Sequence, residues 1–186
     1  MVKYRLPLSM LAAIILLAGC ASPPQQTKVN ELHNEVSKLN QQMRKLVTQA
    51  SALEQQGQLN ANSARGAWLL PRANTGVVLQ SDIGDLRLSL NYVEAEANGT
   101  RAILHIRANG ERMLPAFTAK VEWGELDPTT GKPLTVDSQS QTIEVPSSLL
   151  AKTEATVPLR LSGIAPDQLG FVRVHDLMAV AKPSAQ

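Results

Sequence analysis

The chain has 186 residues, with 18 Lys and Arg against 16 Asp and Glu, and a formal charge of +2. That balance offers no basic face for a nucleic-acid partner. A single cysteine leaves no disulfide to close within the chain, so a folded domain here must be held by its core. The length suits one domain with appendages.

Lys3 and Arg5 precede an apolar run from Leu8 to Ala18. That run falls short of the about 20 residues needed to span a bilayer and has the length of an export signal. Ala18 and Gly19 are small enough for a lipoprotein signal peptidase to close around the backbone before Cys20. Residues 1–19 are therefore predicted to be a lipoprotein signal peptide, with Cys20 as the lipidated first residue of the mature chain. One acyl chain anchors only marginally, so the several chains on such a cysteine make a stable attachment. Ala21 and Ser22 follow, with no aspartate in second place. This favours the outer membrane, facing the periplasm; an inner-membrane anchor is the alternative. Loss of Lys3 and Arg5 with the leader brings the charge to zero (18 − 2 basic against 16 acidic).

Residues 20–28 read as a lipidated tether, because Pro23 and Pro24 oppose a helix. The clearest periodicity follows. Val29, Leu32, Val36, Leu39, Met43, Leu46, Ala50 and Leu53 alternate steps of three and four. This heptad places Leu at every d position and predicts an amphipathic, coiled-coil helix over 29–56, about 42 Å long. β-Branched residues at a lean towards a parallel homodimer; Met43, Ala50 and mostly uncharged e and g positions leave a homotrimer open. The other reading is a helix folded back on its own domain. His33, at e, reads as a solvated flank. Gly57 and the Asn60–Ser63 stretch predict a linker over 57–66.

From Ala67 the pattern changes to short β-forming runs, predicting a β-sandwich domain over 67–182 and a tail over 183–186. Leu86, Leu88, Leu90 and Tyr92 mark one strand face, and Ala102, Leu104 and Ile106 another, with Asn98-Gly99 as a hairpin turn between them. An even position then always faces an odd one, yet both apolar sets are even. A β-bulge near Val93 repairs that mismatch. Phe117 to Trp123 alternate next. Thr135 to Val145 forms a polar strand near an edge, bracketed by Pro133 and Pro146. Val157 to Leu161 and Phe171 to Asp176 complete the strands. Leu161-Ser-Gly-Ile-Ala-Pro166, followed by Phe171-Val-Arg-Val174, is similar to the corner before the sixth strand of fibronectin type III domains. Gly170 stands where that family has tyrosine. The fold class is thus mainly β: an antiparallel immunoglobulin- or fibronectin-like sandwich preceded by the helix.

Four strings stand out: Leu39-Asn-Gln-Gln-Met-Arg-Lys-Leu46, Gln58-Leu-Asn-Ala-Asn-Ser63, Trp68-Leu-Leu-Pro71 and Pro166-Asp-Gln-Leu-Gly-Phe-Val-Arg-Val-His175. Through them, and over most of its mature length, the chain resembles the uncharacterised enterobacterial lipoproteins of the YajI type. The resemblance implies a lipid-anchored envelope protein and brings no activity, cofactor or assigned site.

The residues advertise no catalysis. His33, His105 and His175 lack metal-ligand spacing, and no nucleophile elbow or phosphate-cradling loop occurs. Both strand histidines are predicted to face solvent, and Glu96 to face Arg101 across the hairpin. Trp123 reads as core. Trp68, at the junction of linker and head, either packs the helix on the head or meets a partner. Lys182 is not the last residue, which speaks against the terminal-lysine peptidoglycan linkage of murein lipoproteins. The expectation is a non-enzymatic, cofactor-free envelope lipoprotein with a structural or protein-binding role, its partner an unidentified periplasmic protein. A small-ligand carrier, or an accessory subunit of an envelope assembly or transport machine, is the alternative. A hollow head would favour the carrier, and a filled core with an exposed apolar patch would favour protein binding.

Overall fold

The computed structural model describes residues 25–61, 66–146, 149–150 and 152–180. Cys20, the leader and the tail over 183–186 lie outside them. The chain divides between Arg44 and Lys45 into two compact units.

The helix α1 spans Gln25–Ala61, beyond the predicted 29–56 at both ends. It begins at the residue after Pro24, so Gln25 to Lys28, expected in the tether, are helical. Proline obstructs the turn before it far more than the turn after it. At the other end Gly57 lies inside the helix. A glycine there costs about 1 kcal/mol relative to alanine, and the contacts of Gln56, Leu59 and Asn60 described below offset that cost. The first residues of the expected linker, 57–61, therefore belong to α1.

The head has eight strands among the described residues: β1 Ala67–Leu69, β2 Val77–Leu79, β3 Leu86–Glu96, β4 Gly99–Ala108, β5 Phe117–Gly124, β6 Gln139–Val145, β7 Glu154–Ser162 and β8 Phe171–Ala179. They form two antiparallel sheets, ordered β1-β8-β5-β6 and β2-β3-β4-β7. In immunoglobulin-like terms β3, β4 and β7 take the places of strands A, B and E, and β5, β6 and β8 those of C, C′ and F. The place beside F, which the last strand fills in that fold, is filled here by β1. The segment that follows α1 thus completes the sheet.

The inner faces meet in a filled aliphatic core. Leu86, Leu104, Ile106, Val121 and Val172 are fully buried, Leu88 and Phe117 nearly so. Trp123 is also buried, its indole N–H donating to the Ser162 carbonyl at 3.1 Å. Burial of this kind contributes about 25 cal/mol per Å² of apolar surface, and no disulfide is needed.

The bulge lies where parity requires it. Asn91 pairs with Ile103 and Glu94 with Arg101, so Tyr92 and Val93 stand opposite Ala102 alone. Val93 turns to the core, while Tyr92, expected on the buried face with Leu86 to Leu90, is instead exposed. The hairpin pairs Glu96 with Gly99, which puts Ala97-Asn98 at its tip rather than Asn98-Gly99. In consequence Arg101 lies opposite and is hydrogen-bonded to Glu94 rather than Glu96.

The sixth strand lies at a sheet edge as expected, but only over Gln139–Val145. Thr135 to Ser138 make a turn in which the Ser138 hydroxyl reaches the Thr135 carbonyl at 2.9 Å. The corner between β7 and β8 crosses from one sheet to the other, as the fibronectin resemblance implies. Gly170 has a steric cause: a Cβ there would come within 2.4 Å of the Leu126 backbone nitrogen. No tyrosine fits at that position.

Candidate interaction surface

The last turns of α1 pack on the head through one face. Ala52 is buried with Leu70 and Ala73, and Leu59, Trp68 and Leu126 flank them. The polar contacts are more specific. Asn60 accepts from the Trp68 N–H through Oδ1 at 2.9 Å and donates to the Trp68 carbonyl through Nδ2 at 2.8 Å. Gln56, only 2% exposed, accepts from the Leu70 N–H at 2.7 Å. Gln49 donates to the Ala73 carbonyl at 3.5 Å, and Gln55 to the Gly131 carbonyl.

The geometry explains the match. Residues i and i+4 of a helix are about 6 Å apart along its axis, and residues i and i+2 of a strand about 6.6 Å. Gln56 and Asn60 therefore register with Leu70 and Trp68. Their amides satisfy the outer backbone groups of Trp68 in β1 and of Leu70 just after it, along an edge strand that would otherwise invite pairing with another chain.

In the heptad, the docking residues Gln49 and Gln56 fall at g, Ala52 and Leu59 at c and Gln55 at f, while Asn60 falls at d, one heptad past the last seam residue Leu53. The eight a and d residues from Val29 to Leu53 are all exposed, Met43 at 58% and Leu46 at 65%. As far as Leu53, the docked face and the apolar seam are different faces of one helix.

The structure places Trp68 half-buried on the outer face of the first sheet. Its ring meets Phe171 edge-on, with centroids 5.2 Å apart and planes at 63°. The Arg173 guanidinium carbon lies 4.7 Å from the ring centroid, a cation–π contact. Trp68, Arg173 and Glu122 are successive cross-strand neighbours on β1, β8 and β5. Arg173 Nη1 lies 3.5 Å from Glu122, His175 Nε2 lies 3.6 Å from the same carboxylate, and His175 Nδ1 is 3.1 Å from Asp176.

His175 is only 8% exposed, contrary to the solvent-facing position expected for it. Val174 faces the core, while His175, paired with Lys120 on β5, lies on the outer face with Arg173, where Glu122 and the backbone at Gly66 cover it. His105 lies in the other sheet, half-buried, and its Nδ1 meets Glu154. The two strand histidines do not meet.

Ser138 donates to Glu122, an arrangement in which a carboxylate, and not a histidine, receives the hydroxyl. It is a structural contact rather than a nucleophile with its base. Among the described residues no three His, Cys, Asp or Glu side chains are grouped to hold a metal.

Two exposed groups are electrostatically tuned. The hydrogen bond and charge of Glu94 raise the Arg101 pKa. Backbone hydrogen bonds from Thr130 and Thr129 lower that of Asp127. Both are explained by local pairing in a hairpin and a turn.

Sequence reading singled out the seam and Trp68 as candidate partner surfaces. It missed Gln56 and Asn60, because polar residues on a helix carry no sign that they will be buried. The signal available was their i, i+4 spacing just before a short apolar strand.

Comparison with known proteins agrees with this architecture. A family model described as "Protein of unknown function (DUF3251)" matches residues 20–185. The uncharacterised lipoprotein YajI of Escherichia coli K12 is 40% identical over 173 residues, 93% of this chain and 95% of that one. The solution NMR structure of the Escherichia coli protein superposes with a TM-score of 0.67 over 74% of this chain and 82% of that one. Salmonella enterica SadB, described as a trimeric lipoprotein, shares the fold at 16% identity, with a TM-score of 0.52 over 83% of this chain and 78% of its own. None of these names is that of an enzyme. The chain therefore belongs to the family described as Protein of unknown function (DUF3251), and its kind is that of an envelope lipoprotein.

Proposed function

We propose that this chain is a non-enzymatic, periplasm-facing lipoprotein, held through lipid on Cys20, whose helix self-associates and whose head binds another envelope component. The observation that carries this reading is the a/d seam. All eight of its positions are exposed while a different face of α1 is occupied by the head. A continuous apolar stripe of this kind is a partner surface. Lipid anchoring favours pairing further, because it confines copies of the chain to one surface and raises their effective concentration. Homodimer and homotrimer both suit the heptad, and the description of SadB as trimeric supports the latter.

The filled core speaks for protein binding over carriage of a ligand inside the sandwich. Ala21 and Ser22 after the lipidated cysteine speak for the outer membrane. Trp68, whose half-buried ring lies under Arg173, is the aromatic we assign to partner contact next to the docked helix end.

Sedimentation of residues 21–186 beside a Leu39→Pro variant tests the association. The wild-type chain should sediment as an oligomer at tens of micromolar and the variant as a monomer. A monomeric wild-type chain would overturn the reading. In-cell crosslinking with capture through the head then identifies the partner.

A further inference from the structure

The bulge in β3 has a feature that register repair does not explain. Its extra residue, Tyr92, holds φ at +52°, in the left-handed region that glycine and asparagine occupy with little strain. A bulky side chain there is the costly choice. Any residue would repair the register, so the ring itself calls for a reason.

Tyr92 is 66% exposed and lines a surface groove of about 410 Å³ on the outer face of the second sheet. Ile103 and Pro158, register partners on β4 and β7, also line it and supply an apolar floor. The rim is charged: Arg101 is hydrogen-bonded to Glu94, and Arg160 lies 3.6 Å from Glu96. Two guanidinium groups and two carboxylates cancel, so the groove selects neither an anion nor a cation. An extended peptide finds no backbone partners on this floor, because β4 is paired on both sides, with β3 and with β7.

What remains is a neutral ligand with one apolar face and an edge of alternating donors and acceptors. A pyranose has that form. Its C–H face stacks on an aromatic ring, and its neighbouring hydroxyls accept from guanidinium and donate to carboxylate. The volume is in the range of small-ligand sites. We propose that this groove is a binding site for a neutral oligosaccharide, with Tyr92 as the stacking platform, Ile103 and Pro158 as the floor, and the Arg101–Glu94 and Arg160–Glu96 pairs reading hydroxyls. The site lies wholly on the head and does not depend on self-association of the helix.

Backbone NMR titration tests it, using residues 20–186 with Cys20→Ser and three probes: chitotetraose, maltotetraose and the anionic tetragalacturonate. At least one neutral tetrasaccharide should give saturable shifts confined to the amides around 92–96, 101–103 and 158–160. Tyr92→Gly removes the ring and relaxes the backbone, so it should weaken binding about tenfold while melting no lower than the parent. Tyr92→Phe should keep the affinity. The proposal fails if neither neutral probe saturates up to about 10 mM. It also fails if Tyr92→Gly binds as well as the parent, or if the anionic probe binds as tightly as the neutral ones.

Discussion

Two faces of α1 behave opposite to their composition. The face that touches the head carries Gln49, Gln55, Gln56 and Asn60, and they spend their amides on backbone groups of the head. The aliphatic face, Val29 to Leu53, is exposed along its length. Hydrophobic pattern alone would have docked the second face. The difference arises from the target. The edge of β1 offers unpaired N–H and C=O groups, and an apolar stripe laid over them would bury polar groups without partners, at about 1–3 kcal/mol each. Amides at i and i+4 satisfy them and leave the stripe for a partner that is itself apolar.

The sharpest way to break this contrast is the double variant Gln56→Leu, Asn60→Leu. It keeps volume but strands the Trp68 N–H and C=O and the Leu70 N–H. Denaturant unfolding should show a loss of about 3 kcal/mol. The loss is capped there because undocking of the helix end admits water. Hydrogen exchange at Trp68 and Leu70 should accelerate, and unchanged exchange would refute the edge-capping role.

The converse variant, Leu46→Glu, touches only the seam. It should abolish self-association in sedimentation. Unfolding of the head, followed through Trp123, should stay within about 0.5 kcal/mol of the parent. A comparable loss of head stability would mean that the two faces are not independent.

The contrast extends to the head, where Tyr92 is an aromatic residue held at positive φ. Tyr92→Gly should raise the unfolding free energy by about 0.5 kcal/mol, the relief of left-handed strain less the added chain entropy. A clear destabilisation would show that the ring contributes packing.

The smallest effect concerns Asp127. Its pKa is lowered by the Thr130 and Thr129 amides. The turn is therefore stabilised above the unfolded pKa, and this contribution fades as pH falls through the folded value, below about 4. NMR titration should show the Thr129 and Thr130 amide signals shifting together at that pH, with the core unaffected.

Much of the head was legible because a sandwich writes its alternation into each strand. Leu86, Leu88 and Leu90, then Ala102, Leu104 and Ile106, announce their buried face, and parity alone placed the bulge. The tip of the hairpin was less legible, since Ala97-Asn98 and Asn98-Gly99 both suit a turn and only the pairing of Glu96 with Gly99 separates them. His175 was misjudged because it lies on the outer face of the sheet beside Arg173, where Glu122 and the backbone at Gly66 cover it. The strings that carry the family resemblance also have a physical role: Asn60 and Trp68 to Leu70 lie at the docked edge, and Gly170 sits where no Cβ fits.

The sequence by itself determined the leader pattern with its lone cysteine, the helical heptad and the alternating strands, because each is a local periodicity or motif. Tertiary structure decided which face of α1 meets the head, that β1 completes the first sheet, and that Tyr92 turns outward beside Ile103 and Pro158. These outcomes depend on backbone groups brought together from distant parts of the chain, where the need to satisfy an open strand edge outweighs the local hydrophobic pattern.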